Sequence, residues 1–173
     1  MADDIAPKER TLVLNSLQIR QKITRMAHEI YERNYREKEL ILVSITGKGK
    51  EVAKRIAGVL ESISTIKVSM FNLEFDKDSP LSEPMKFSGD LKSLKGRNVI
   101  LVDDVLNSGR TLAYASKFLL DAAPQKLATA TLVDRFHRRF PVRADFVGLT
   151  LSTNLKEHVT VEMPKGKEAV YLE

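Results

Sequence analysis

Apolar positions along this chain alternate between two spacings, and the changes of spacing mark out its elements. From Ser16 to Asn34, Ile19, Ile23, Met26, Ala27 and Ile30 fall on one helical stripe. Gln21, Thr24 and His28 lie opposite, with Arg20 and Arg25 on the flanks. Glu39 to Ile45 is a strand-like apolar run, followed by a helical pattern from about Lys50 to Leu60. Lys67 to Phe75 reads as extended. Val99-Ile100-Leu101-Val102 is a compact, β-branched-rich run that predicts a strand buried on both faces. A helix over Thr111 to Ala122 and a Thr- and Val-rich strand over Lys126 to Val133 come next. Short strands are expected at Asp145 to Leu151, His158 to Met163 and Val170 to Leu172. Strands alternating with helices predict an α/β fold, a single domain with a mainly parallel sheet flanked by helices.

Two stretches break the pattern. Residues 1–10 are polar and charged around Pro7, which predicts a flexible arm. Residues 76–97 lack periodicity and contain Pro80, Pro84, Gly89 and Gly96, as expected of a flexible lid or binding loop. Asp134 to Arg143 is a basic connector. No repeat or linker interrupts the chain, so one domain is expected over 1–173.

Composition narrows the picture without deciding it. With 173 residues, 43% hydrophobic and 29% charged, the chain has an ordinary globular balance. No apolar run reaches the ~20 residues of a membrane span. The absence of cysteine excludes disulfides and thiolate chemistry and fits a cytoplasmic setting. His28, His137 and His158 lack metal-ligand spacing. A net charge of +5 suits either a nucleic acid or an anionic small substrate.

The chemistry concentrates after the Val99–Val102 run. Asp103 and Asp104 stand at its carboxyl end, where open α/β sheets bind ligands. The loop Asn107-Ser108-Gly109-Arg110-Thr111 then leads into a helix, whose free N–H groups suit a phosphate. Carboxylates beside a phosphate repel it unless they hold sugar hydroxyls or a divalent cation. The segment therefore predicts a phosphorylated sugar bound with Mg²⁺. A mere buried strand and capped helix would need neither the paired aspartates nor this loop. Thr46-Gly47-Lys48-Gly49 occupies the same strand-to-helix position after Ile45. Alone it could be an ordinary turn; with its partner it suits a ligand carrying phosphates at both ends. No Walker-type P-loop spacing occurs.

Val99 to Thr111 resembles the phosphoribosyl diphosphate signature of the type I phosphoribosyltransferases at all thirteen positions. The resemblance implies that Asp103 and Asp104 hold the ribose 2′ and 3′ hydroxyls, and that Asn107, Ser108, Gly109, Arg110 and Thr111 wrap the 5′-phosphate. It also implies that Thr46, Gly47, Lys48 and Gly49 bind the diphosphate, and that a small hood covers the base. Lys48 and Mg²⁺, the latter held through substrate and by Asp103 and Asp104, would serve the leaving diphosphate; loop 76–97 would close as a lid through Lys77. Ile19 to Asn34 and Leu132 to Gly148 further resemble the bifunctional pyrimidine-operon attenuators, which are also uracil phosphoribosyltransferases. That register runs from about Ile19 to the C-terminus and implies a homodimer or higher homo-oligomer.

The chain departs from that family at several places. Asn107 replaces a common tyrosine, and Leu149 stands where the family has a lysine. Glu74 to Asp78 lacks the arginine of the family's catalytic loop, and Leu149 to Thr153 replaces its Asn-x-Pro-Thr-Ser run. Two function classes therefore stay open. One is a phosphoribosyltransferase acting on a nucleobase, with uracil first. The other is an mRNA-binding regulator of pyrimidine genes that keeps the phosphoribosyl site for nucleotide sensing, gripping RNA through Thr24, Arg25, His28, Arg138 and Arg143. An unrelated nucleotide-binding α/β protein is a third, more distant reading.

Overall fold

The computed structural model describes residues 9–173, so most of the arm expected over 1–10 lies outside the described residues. Among the described residues nine strands and three α-helices follow in the order β1 Thr11–Leu14, α1 Ser16–Asn34, β2 Glu39–Ile45, α2 Lys48–Ile63, β3 Lys67–Glu74, β4 Lys86–Phe87, β5 Asn98–Leu106, α3 Arg110–Leu120, β6 Lys126–Asp134, β7 Phe146–Thr150, β8 Val159–Glu162 and β9 Ala169–Leu172. A six-stranded sheet runs β4-β3-β2-β5-β6-β7, and all its pairings are parallel except that of the edge strand β4. The expected α/β fold with a mainly parallel sheet is what the structure contains.

Alternation along each central strand assigns residues to two cores. Leu40 and Leu42 of β2, with Ile100 and Val102 of β5, pack under α1 and α2. Ile41, Val43 and Ile45, with Val99 and Leu101, face α3 through Leu112, Ala115 and Leu119. The α1 stripe foreseen from spacing is buried at all five positions. Its start is set by Asn15, whose side chain accepts from the Gln18 amide while Gln18 caps back, a reciprocal capping box.

Several boundaries differ from expectation. Helix α2 begins at Lys48, two residues early, and β5 runs on to Leu106, so the two aspartates lie within the strand. The strand β1 escaped sequence reading altogether. It pairs with β9, and together with β8 forms a three-stranded antiparallel sheet. Its partner strand lies at the opposite end of the chain, so nothing local announces it. Buried Glu168 ties this small sheet to the helices, accepting from the Ser16 hydroxyl and pairing with Arg55 at 2.5 Å.

Loop 76–97 is more organised than its sequence suggests. β4 adds antiparallel to β3, a 3₁₀ turn spans Leu91–Leu94, and Leu94 is fully buried. The Phe71 and Phe87 rings lie 5.1 Å apart, which anchors this half of the loop. Its first half, from Asp76 to Met85, contains no helix or strand.

Candidate active site at the carboxyl edge of the sheet

Register places the site residues side by side. Asp103 of β5 pairs with Thr131 and Leu106 with Asp134, so β5 and β6 finish together at one edge. The Asp103 side chain is 2% exposed and that of Asp104 18% exposed. Asp103 Oδ1 accepts from the Asp104 amide at 3.0 Å and from Lys77 Nζ at 3.1 Å. Burial, and then the neighbouring Asp104 charge, push the Asp103 carboxyl up to about 7 despite Lys77. A buried acidic pair of this kind is poised to take hydrogen-bond donors or a cation.

Both anion loops open onto this edge. Gly47 adopts φ +101°, a conformation that disfavours any side chain, and starts α2 without a side-chain cap. Gly49 brings that helix against β5: a Cβ there would lie 3.1 Å from the Val102 carbonyl and 3.2 Å from Asp103 Cα. Lys48 is exposed at the same helix start. The Thr46 hydroxyl, by contrast, donates to the Leu73 carbonyl at 3.0 Å and locks β2 to β3. Gly109, at φ +87°, starts α3 and likewise supplies no cap. Helix α1 has its capping box, whereas α2 and α3 start at glycines without a side-chain N-cap, and Ser108 Oγ accepts from the Arg110 amide at 3.3 Å. Open amides at a helix start favour an anion.

The Asn107–Thr111 loop wraps a cavity of about 40 Å³, lined by Asp103 and by Val105 to Leu112. Its outer side is tied down. The Ser108 carbonyl accepts from the Arg139 and Phe140 amides at 2.8 and 3.0 Å, and the Asn107 carbonyl accepts from Arg138 at 3.0 Å. Arg110 donates to the Asp78 carbonyl at 3.1 Å, which joins the phosphate loop to the 76–85 segment.

One residue that sequence reasoning gave no role stands out. Arg135, 8% exposed, has no carboxylate within ion-pair distance among the described residues. It donates to Thr153 Oγ1 and Asn107 Oδ1, both at 3.1 Å, and to the Asn154 and Glu157 carbonyls. This guanidinium fastens the segment after β7 to the phosphate loop. His137 rests beside it, a ring nitrogen 2.5 Å from the Thr153 carbonyl. Phe136 sits between them at φ +63° and 72% exposed, its amide held by Asp134 Oδ1 at 2.8 Å. Basic character was legible in this connector, but the partners 18 to 22 positions away were not.

The five candidate RNA contacts come from helix α1 and from the connector after β6. Thr24, Arg25 and His28 share α1, where His28 is exposed. Arg25 pairs with Glu29 at 2.6 Å and donates to the Val147 and Gly148 carbonyls at 3.0 and 2.6 Å. Arg138 pairs with Asp134 at 2.5 Å next to the phosphate loop. Arg143 is exposed, and its carbonyl accepts from Thr129, five positions before Asp134 on β6. That separation is roughly 16 Å along a strand.

A parallel sheet with an acidic pair on a central strand, then a glycine-started helix, defines the type I phosphoribosyltransferase fold. The chain belongs to the phosphoribosyl transferase domain family, which matches residues 10–165. It is 38% identical over 157 residues to "Bifunctional protein pyrR" of Enterococcus faecalis, covering 87% of this chain and 88% of that protein. It is 35% identical over 174 residues to "Bifunctional protein PyrR" of Pelotomaculum thermopropionicum, covering 95% and 96%. The crystal structure of the hypoxanthine phosphoribosyltransferase of Trypanosoma cruzi superposes with a TM-score of 0.77 at 19% identity, covering 93% of this chain and 95% of that one, a likeness of fold. Among the described residues no helix is long and apolar enough to cross a membrane.

Proposed function

We propose that this phosphoribosyltransferase moves ribose 5-phosphate from phosphoribosyl diphosphate to uracil with release of diphosphate. The observation that carries the reading is the convergence of two glycine-started helices on one buried acidic pair, with Gly49 bringing α2 against Asp103. Amides and hydroxyls of Ser108 to Thr111 hold the 5′-phosphate. Asp103 and Asp104 accept from the ribose hydroxyls and fix the sugar. Lys48 and the open amides of Gly47 to Gly49 receive the diphosphate as it leaves C1. The base nitrogen attacks the opposite face, and a sugar held at both ends makes that displacement effectively intramolecular.

No cluster of three or more His, Cys, Asp or Glu that could hold a metal occurs among the described residues. The acidic pair does hold a cation, the Lys77 ammonium, so a cation fits there. Asp103 and Asp104 would hold Mg²⁺ only together with oxygen atoms of the substrate. When bound, Mg²⁺ supplies charge neutralisation to the diphosphate. The loop expected over 76–97 reaches this site in the free chain through Lys77. A cytoplasmic setting and a homo-oligomer belong to the same reading.

A second reading, mRNA binding by a regulator of pyrimidine genes, draws support from relatives named bifunctional and from the exposure of His28 and Arg143. The deciding experiment is diphosphate release from phosphoribosyl diphosphate and Mg²⁺ with uracil and a panel of other bases. Turnover with uracil that disappears in Asp103→Asn/Asp104→Asn supports the enzyme. Turnover with a different base removes uracil from the reading. Binding without turnover, together with RNA affinity that falls steeply with salt, favours the regulator.

A further inference from the structure

The segment after β3 reaches back over the acidic pair. Lys77 lies 26 positions before Asp103, yet its Nζ is 3.1 Å from Asp103 Oδ1 and 4.0 Å from Asp104 Oδ1. Asp76 shapes the turn that carries it, accepting from the Asp78 and Ser79 amides at 2.9 and 3.3 Å. One residue beyond Lys77, the Asp78 carbonyl receives Arg110. The loop thus touches the site twice, at the carboxylates and at the first residue of α3.

The Lys77 ammonium is the one cation within ion-pair distance of either aspartate among the described residues. Asp103 Oδ1 already has two donors, the Asp104 amide and Lys77. A sugar diol bound through these carboxylates needs the same oxygen atoms and the same space. Because Asp103 is almost wholly buried, its attraction to Lys77 is screened less than that of a surface pair, although Lys77 itself is 40% exposed.

We propose that Lys77 is an internal occupant of the ribose subsite: in the free protein its ammonium holds the acidic pair and fastens the loop, and incoming sugar hydroxyls must displace it. This rests on the phosphoribosyltransferase reading and adds how entry to that site is controlled. Ligand binding and loop release are then one event, because the carboxylates cannot serve both partners.

The test uses the full chain and ribose 5-phosphate without divalent cation, so that no diphosphate contact obscures the competition. Lys77→Gln is expected to bind ribose 5-phosphate about three- to tenfold more tightly than wild type by calorimetry. Hydrogen exchange at amides 76–79 should be faster in free Lys77→Gln, and in wild type it should accelerate when ribose 5-phosphate is added. Asp103→Asn should free the same amides, and the double variant should free them no further, since one contact is removed either way. Unchanged or weaker binding by Lys77→Gln overturns the proposal while leaving the site reading intact. So do additive loop effects, or a loop that tightens on adding sugar. If folded wild type binds neither ribose 5-phosphate nor phosphoribosyl diphosphate with Mg²⁺, the site reading falls and takes this proposal with it.

Discussion

The phosphate side of the site and the side closed by Arg135 are built on different principles. Asp103 to Thr111 form one contiguous run whose geometry comes from its own backbone: a strand end, a left-handed glycine and a helix start. The other side is assembled across the chain. Arg135 reaches Asn107, Thr153, Asn154 and Glu157, and Arg25 reaches β7 from α1. A contiguous site keeps its shape wherever its strand and helix are held. An assembled one depends on each long contact, so it can change specificity without disturbing the other half. One departure from the attenuator pattern, the Leu149–Thr153 stretch, falls on the assembled side, where Arg135 holds Thr153.

The largest expected effect breaks the phosphate side. Asp103→Asn should reduce turnover by about a thousandfold, since it removes a charge-assisted contact from a buried, preorganised site. The same substitution should stabilise the fold above neutral pH. With Asp103 raised to about 7 in the folded chain, the protonated carboxyl favours folding at low pH. That contribution is lost as pH rises through about 7, where the fold must hold a buried charge. Thermal unfolding at pH 8 should show the variant ahead of wild type by roughly 2 to 4 kcal/mol, with the gap closing toward pH 5. A variant less stable at both pH values would show that Asp103 is retained for the fold and not at its expense.

A substitution at Arg135 should separate the two sides. Arg135→Gln leaves the Asn107 and Thr153 oxygens and two carbonyls short of a donor, which costs about 2 to 3 kcal/mol of stability. Base KM should rise about tenfold or more while affinity for phosphoribosyl diphosphate changes less than threefold. Lys is a poor replacement because one ammonium cannot span the fork. Equal losses for both substrates would mean that Arg135 supports the whole site and the division is false.

How much of this was legible in the sequence follows the same line. Asp103, Asp104, Gly109 and the strand–loop–helix around them could be read because period, charge and turn chemistry are local. Gly47 and Gly49 were visible as an anion loop, but the packing of Gly49 on Asp103 needed the β2–β5 register. Lys77 could be named only as a loop lysine, since nothing near it in sequence points to a partner 26 positions on. β1 and β4 were missed because they owe their existence to the distant edges they join. Arg25 and Arg138 could be read as free cations, and their carbonyl partners are invisible in sequence.

The smallest effect sharpens the comparison at Arg25. Its guanidinium bridges Glu29 and two carbonyls of β7, with a side chain 45% exposed. Half-exposed pairing is worth little, so Arg25→Ala should lower stability by only about 1 kcal/mol. Turnover with saturating substrates should stay within about twofold, because none of its partners lies at the carboxyl edge of β5. RNA affinity carries the information. A loss of tenfold or more, with His28→Ala behaving likewise and urea midpoints nearly unchanged, would place α1 in an RNA contact despite its duties toward β7. A loss confined to stability would assign Arg25 to holding α1 against β7, and would leave His28 and Arg143 as the exposed members of the candidate RNA set.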